Sequence, residues 1–300
     1  MLYGIIDIGS NTIRMNIYKI EGHHFNLLLS KKEAVGLVQY VKKSVMSQEG
    51  IDRLAECLDQ FREMIDILHL DGYSAFATAS LRNINNSQDV IDAIDQKCHV
   101  HIDLLSGAQE GRISFHGAIY GLSHQNGIYV DTGGGSSEVI LYDKRQIGFV
   151  ASLPVGSLNL YNKYVKNIIP TKSEIKEIQE RILKELNAID RKKSVLKADD
   201  LSVTGGSMRA IRSLLISMRW IEKEVYEFDA SMLRRLVKSL QEDESKTIHL
   251  FLKVKPDRVH TMFTGLLIID TIAQYTKAKR IQVSTNGVRE GYLMEKILGE

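Results

Sequence analysis

The sequence predicts an α/β protein of two domains, each opening on a β-hairpin closed by a glycine-containing turn. Three observations lead there. Residues 4–18 and 127–142 repeat one pattern, strand and helix signals alternate along the rest of the chain, and a third glycine turn, Thr204-Gly205-Gly206-Ser207, follows a short strand. With Asp7 aligned on Asp131, Gly9 falls on Gly133, Thr12 on Ser136 and Tyr18 on Tyr142. In each copy an apolar strand delivers an Asp to its end, a turn built from Gly, Ser or Asn follows, and a second apolar strand leads away. Such a turn gathers backbone N–H groups and small hydroxyls into one concavity, which suits phosphate oxygens. The neighbouring Asp can hold a cation that neutralises them. Two such turns facing each other across an interdomain cleft are expected to clamp a polyanion.

A chain of 300 residues accommodates two domains of ordinary size. Its 44% hydrophobic and 25% charged content is that of a soluble globular protein rather than a disordered one. No basic segment leads into an apolar run at the N-terminus, and Asp7 interrupts the first strand, so a signal peptide is not expected. The apolar run 262–269 is too short to span a bilayer, and no membrane partner is expected. Only two cysteines, Cys57 and Cys98, argue against a disulfide framework and fit a cytoplasmic protein. A net charge of +2 gives no reason to expect nucleic acid as a partner, but it is compatible with a local basic groove.

Taken in order, the elements build two α/β halves. Ile51, Leu54, Leu58, Phe61, Ile65 and Leu68 recur at helical spacing after the first hairpin, ending near Asp71-Gly72. A buried strand over 73–79, a helix around 90–94 and a strand over 100–105 follow. Residues 106–122 read as a helix, with Ser106 and Gln109 placed as a capping box. Its glycines, Gly111, Gly117 and Gly121, weaken a helix unless close packing repays them, and this segment is read as the connector between domains. The first domain is therefore placed at 1–123 and the second at 124–287, with a final helix at about 288–300 packing back on the first. In the second half, Thr171 and Glu174 make another capping box, and Ile175, Ile178, Ile182, Leu186 and Ile189 form the buried stripe of a long helix. A strand at 201–203 enters the third glycine turn, helical patterns fill most of 229–278, and a strand at 281–284 precedes the last helix. This order describes two ribonuclease-H-like domains of the actin/Hsp70/sugar-kinase superfold.

Short blocks occur in a fixed order: Asp7-Ile8-Gly9-Ser10-Asn11-Thr12, Ala77-Thr78-Ala79-Ser80-Leu81-Arg82, Ser106-Gly107-Ala108-Gln109-Glu110-Gly111-Arg112, the stretch from Asp131 to Glu138, and Gly287-Val288-Arg289-Glu290-Gly291. In this set the chain resembles the exopolyphosphatase / guanosine pentaphosphate phosphohydrolase family over nearly its whole length, in the short two-domain form. Three positions depart from the family pattern: Gln109 replaces the first of two adjacent glutamates, Ser137 a common Thr, and Asn286 a Gly.

The resemblance implies that Asp131 and Glu138 hold Mg²⁺ (or Mn²⁺), with Asp7 completing the shell from the opposite turn. One or two carboxylates are sufficient for an ion that keeps several waters and takes substrate oxygens. Phosphate binding falls to Gly9, Ser10, Asn11 and Thr12 in the first turn and to Gly133, Gly134, Gly135, Ser136 and Ser137 in the second. It implies further that Glu110 is the general base, since a carboxylate can orient and deprotonate water. Arg82 is the implied phosphate anchor, a guanidinium suiting phosphate oxygens in bidentate geometry. The expected activity is hydrolysis of the terminal phosphate of inorganic polyphosphate, or of the 5′ γ-phosphate of guanosine pentaphosphate. The alternative is a binding protein that senses polyphosphate or guanosine alarmones with little turnover, motivated by the short length and Gln109. A kinase of the same superfold is disfavoured, because the blocks follow the phosphatase pattern. The expected assembly is a homodimer.

Overall fold

The computed structural model describes residues 1–119, 121–191 and 195–299. Contacts divide the chain into two compact units, Met1–Glu110 with Leu293–Glu300, and Gly111–Tyr292.

In the first unit, β1 (Leu2–Ile8), β2 (Ile13–Glu21) and β3 (His24–Glu33) form an antiparallel meander, and a small hairpin of β4 (Val41–Lys42) and β5 (Val45–Met46) follows. Then come α1 (Gln48–Ile67), β6 (Gly72–Ala77), the single turn α2 (Ala79–Arg82), α3 (Ser87–Cys98), β7 (Ile102–Leu104) and the start of α4 (Gly107–Ile119). The sheet order is β3-β2-β1-β6-β7, with β1, β6 and β7 parallel. Ile5, Ile6 and Ile8 on β1 are fully buried, as a continuous apolar run in a central strand requires. Helix α1 starts at Ser47, whose hydroxyl accepts the Gly50 N–H, and buries Ile51, Leu54, Leu58, Phe61 and Ile65. Leu68, expected as the last member of that stripe, is instead the C-cap residue and is exposed.

The second unit repeats this plan. It holds β8 (Gly127–Thr132), β9 (Ser137–Asp143), β10 (Gln146–Leu153), α5 (Ser157–Tyr164), α6 (Lys172–Ile189), β11 (Asp200–Thr204), α7 (Gly206–Ser217) and β12 (Glu227–Asp229). After these come α8 (Ser231–Leu240), α9 (Glu244–Val254), α10 (Met262–Thr276), β13 (Arg280–Val283) and α11 (Val288–Leu293). Its sheet order is β10-β9-β8-β11-β13-β12, with β8, β11 and β13 parallel and β12 an added antiparallel edge. Helix α10 is buried on nearly every face, which explains why its sequence is apolar all round rather than striped. The capping box at Thr171 and Glu174 forms as expected, closing the N-terminus of α6.

The units divide within α4, between Glu110 and Gly111, earlier than the boundary at 123 read from the sequence. The physical reason is packing: Phe115, Ala118 and Leu122 form one buried cluster with Tyr129, Ile140 and Tyr142 of β8 and β9. The glycines serve that packing. A Cβ on Gly117 would lie 2.2 Å from the Gly287 carbonyl oxygen, and one on Gly291 would lie 1.7 Å from the Ile113 carbonyl oxygen. Backbone meets backbone where α4 and α11 cross, so no side-chain rearrangement can relieve an added methyl. Gly291→Ala is therefore expected to cost about 3 kcal/mol of stability, read from urea denaturation. A change below about 0.5 kcal/mol would contradict the close crossing.

Among the described residues no helix is long and apolar enough to cross a membrane. Both cysteines are buried and unpaired, and burial pushes the Cys57 thiol up to about 12 and the Cys98 thiol up to about 11. Neither is a nucleophile at neutral pH, because the thiolate is the reactive form.

Candidate active site

The internal repeat is one structure made twice. In the β1–β2 ladder Asp7 stands opposite Arg14 and Ile8 opposite Ile13; in the β8–β9 ladder Asp131 stands opposite Glu138 and Thr132 opposite Ser137. Each four-residue turn closes by the same bond, Gly9 N–H to the Thr12 carbonyl at 3.1 Å and Gly133 N–H to the Ser136 carbonyl at 3.0 Å.

In the second turn the carbonyls of Gly133, Gly134 and Gly135 are taken up by the start of α5. Gly133 accepts from the Ser157 N–H at 2.9 Å, Gly134 from the Leu158 and Asn159 N–H groups at 2.9 and 3.1 Å, and Gly135 from Asn159 Nδ2 at 2.7 Å. Carbonyl and N–H point opposite ways in a trans peptide. The N–H groups of Gly134, Gly135 and Ser136 are thus turned away from α5, a backbone nest of the kind that binds anions. Gly156 makes this docking possible, since a Cβ there would lie 2.4 Å from the Gly134 backbone. The first turn is held likewise: Val38 N–H donates to the Ser10 carbonyl at 3.1 Å and Gly36 N–H to the Asn11 carbonyl at 2.9 Å. That turns the N–H groups of Asn11 and Thr12 the other way. Ser80 Oγ bonds the Ile8 carbonyl, tying the Ala77–Arg82 block to the base of this turn.

Asp131 and Glu138 are direct cross-strand partners, so both carboxylates leave the same face of the sheet side by side. Glu138 is only 1% exposed. Ser152, its partner on β10, donates to Glu138 Oε1 at 2.9 Å, and Ser114 of α4 donates to Asp131 Oδ2. Tyr129 Oη lies 2.8 Å from Ser114 Oγ, and burial together with nearby Asp131 holds its phenol well above the usual range. Like charges placed opposite each other in a ladder repel; a divalent cation relieves that repulsion, and two carboxylates suffice for Mg²⁺. Among the described residues no three His, Cys, Asp or Glu side chains gather into a metal cluster.

Glu110 and Arg82 come together within the first unit. Arg82 Nη1 donates to Glu110 Oε2 at 2.7 Å and to the Leu105 carbonyl at 2.9 Å, with both side chains largely buried. The Ser106–Gln109 capping box forms in both directions: Ser106 N–H reaches Gln109 Oε1 at 2.9 Å, and Gln109 N–H reaches Ser106 Oγ at 3.2 Å. Capping thus falls to Gln109, and Glu110 is held by Arg82 instead.

One expected ligand is placed elsewhere. Ser137 is fully buried and its hydroxyl donates to the Val155 carbonyl at 2.7 Å, so it secures the segment before α5 rather than facing a phosphate. It begins β9 opposite Thr132, and at that register its side chain enters the core. Arg14 ends on Ser30 of β3, 2.8 Å away. At the third glycine turn, a Cβ on Gly206 would lie 1.9 Å from Arg258 Nη2, so the missing side chain is what admits that guanidinium. Ser114, Ser152 and Arg258 carry no signal in the linear pattern; only the folded register brings them to the turns.

Two sheets of one topology, each carrying a strand–turn–strand nest beside a parallel strand that runs into a helical turn, define a duplicated ribonuclease-H-like protein of the actin/Hsp70/sugar-kinase superfold. Within that class the chain belongs to the Ppx/GppA phosphatase family, whose model matches residues 16–300. It is 24% identical to exopolyphosphatase 1 of Mycobacterium bovis over 100% of this chain and 89% of that protein. It is 27% identical to the bifunctional 3-dehydroquinate synthase/phosphatase of Fusobacterium nucleatum, covering 97% of this chain but only 46% of that longer protein. Among solved structures it resembles an exopolyphosphatase from Cytophaga hutchinsonii, with a TM-score of 0.88 at 22% identity over 100% of this chain and 98% of that one. The Aquifex aeolicus member of the Ppx/GppA family superposes with a TM-score of 0.81 at 22% identity, again over 100% and 98% of the two chains.

Proposed function

We propose that the chain is a Mg²⁺-dependent exopolyphosphatase that releases terminal orthophosphate from inorganic polyphosphate, and that the same chemistry extends to the 5′ γ-phosphate of guanosine pentaphosphate. The observation that carries this reading is the Gly134–Gly135–Ser136 nest set beside the Asp131–Glu138 pair, in a chain of the Ppx/GppA phosphatase family. Its relatives named as exopolyphosphatases support the substrate class.

In this mechanism the turned N–H groups hold the non-bridging oxygens of a phosphate, and backbone donors fixed by α5 cost no reorganisation as charge develops there. Asp131 and Glu138 are the residues that would hold Mg²⁺, which supplies neutralisation of phosphate charge. Glu110 accepts a proton from the attacking water; the new bond is from water oxygen to the terminal phosphorus, and the anhydride P–O bond breaks to leave the shortened chain. Arg82 keeps the Glu110 carboxylate in one orientation. The two buried free thiols suit a reducing compartment, and we place the activity in the cytoplasm.

The test is the product pattern from polyphosphate of defined length, followed by gel electrophoresis and phosphate release. Stepwise shortening with orthophosphate as the small product is expected. Fragments of intermediate length, or no release at all, would contradict the reading.

A further inference from the structure

Ser114 sits in α4 one helical turn beyond Glu110 and is completely buried. A serine within a helix ordinarily bonds the carbonyl four residues back. Here its hydroxyl is directed across to Asp131 Oδ2 on β8, and Tyr129, two residues before Asp131 on the same strand and also fully buried, closes on Ser114 from the other side. Proton bookkeeping fixes the direction. An ionised carboxylate only accepts, so the Ser114 hydrogen goes to Asp131. Tyr129 has one hydrogen, and both Ser114 Oγ at 2.8 Å and the Ser114 carbonyl at 3.1 Å stand ready to accept it. The chain of donation therefore runs from Tyr129 to Ser114 to Asp131.

Gly205 leaves the other carboxylate oxygen room, since a Cβ there would stand 3.1 Å from Asp131 Oδ1. With Oδ2 tied to Ser114, one oxygen of the carboxylate is fixed from α4. Resting on the reading of Asp131 as a cation ligand, we propose that Ser114, locked by Tyr129, is the positioning residue that orients the Asp131 carboxylate for a divalent cation. Partners of this kind behind a ligand typically change metal affinity by 10–100-fold.

Mn²⁺ binding to the full chain without substrate, followed by electron paramagnetic resonance, tests the proposal in wild type, Ser114→Ala, Tyr129→Phe, the double variant and Asp131→Asn. Ser114→Ala is expected to weaken Mn²⁺ by about tenfold and Tyr129→Phe by less. The double variant is expected to be no weaker than Ser114→Ala, because Tyr129 acts through Ser114. Thermal unfolding of the same samples checks that each folds; if Ser114→Ala does not, Tyr129→Phe, which deletes a single oxygen, decides alone. Wild-type affinity in every folded Ser114 or Tyr129 variant, with binding lost in Asp131→Asn, would overturn the positioning role only. Losses that add in the double variant would overturn the relay. Unchanged binding in Asp131→Asn would instead overturn the cation reading beneath it.

Discussion

Replacing Glu110 by Gln is expected to lower the turnover of polyphosphate by about 10²–10⁴-fold while leaving KM nearly unchanged, the signature of a group acting on proton transfer. The site of the substitution makes the result interpretable. Glutamate in a first helical turn commonly serves the helix dipole, but here Gln109 makes both bonds of the capping box with Ser106. Glu110 is 8% exposed and held at 2.7 Å by Arg82, which also donates to the Leu105 carbonyl. The Gln side chain keeps the shape and one acceptor for Arg82 while losing the ability to take a proton. Steady-state kinetics of phosphate release give kcat and KM separately. A variant as fast as wild type would remove Glu110 from the mechanism without touching the fold or the family.

Asp131→Asn is expected to have the second largest effect, a fall of about a hundredfold or more in rate together with a need for much higher Mg²⁺. A bound metal supplies several kcal/mol of charge stabilisation, and each 1.36 kcal/mol is tenfold in rate. The stability consequence runs the other way. Asp131 and Glu138 are opposed in the ladder, and like charges in that position destabilise it. Without metal, Asp131→Asn should therefore melt no lower than wild type, whereas added Mg²⁺ should raise the melting temperature of wild type alone. Thermal unfolding with and without Mg²⁺ checks this. A variant destabilised in the absence of metal, or stabilised by Mg²⁺ as much as wild type, would contradict the assignment.

What was legible in the sequence was whatever is local. The equivalence of Asp7 with Asp131 and of Gly9 with Gly133 predicted two like turns, and the ladders reproduce that alignment residue for residue. Both capping boxes were readable because their partners lie three residues apart. Strands β3 and β12 were not. Strand β3 is an edge strand with Leu27, Leu28 and Leu29 all exposed, so its side chains do not alternate in burial as a half-buried strand's would. Strand β12 is a three-residue edge, Glu227–Asp229, too short for any period to appear. The sequence offered candidate carboxylates and glycines for a site but not the side chains that hold them. Ser114 and Ser152 reach Asp131 and Glu138 through tertiary register, and Ser137 looked like a ligand because its buried bond to Val155 is set by a segment far along the chain. The lysines of the Arg191-Lys192-Lys193 run, a solvated helix end by composition, lie outside the described residues.

Release of orthophosphate from long-chain polyphosphate by the wild-type chain, in Mg²⁺ and again after EDTA, tests the central claim most directly. Saturable release that EDTA abolishes and Mg²⁺ restores is the expected result. Binding of polyphosphate without release, or release that persists undiminished in EDTA, would contradict it.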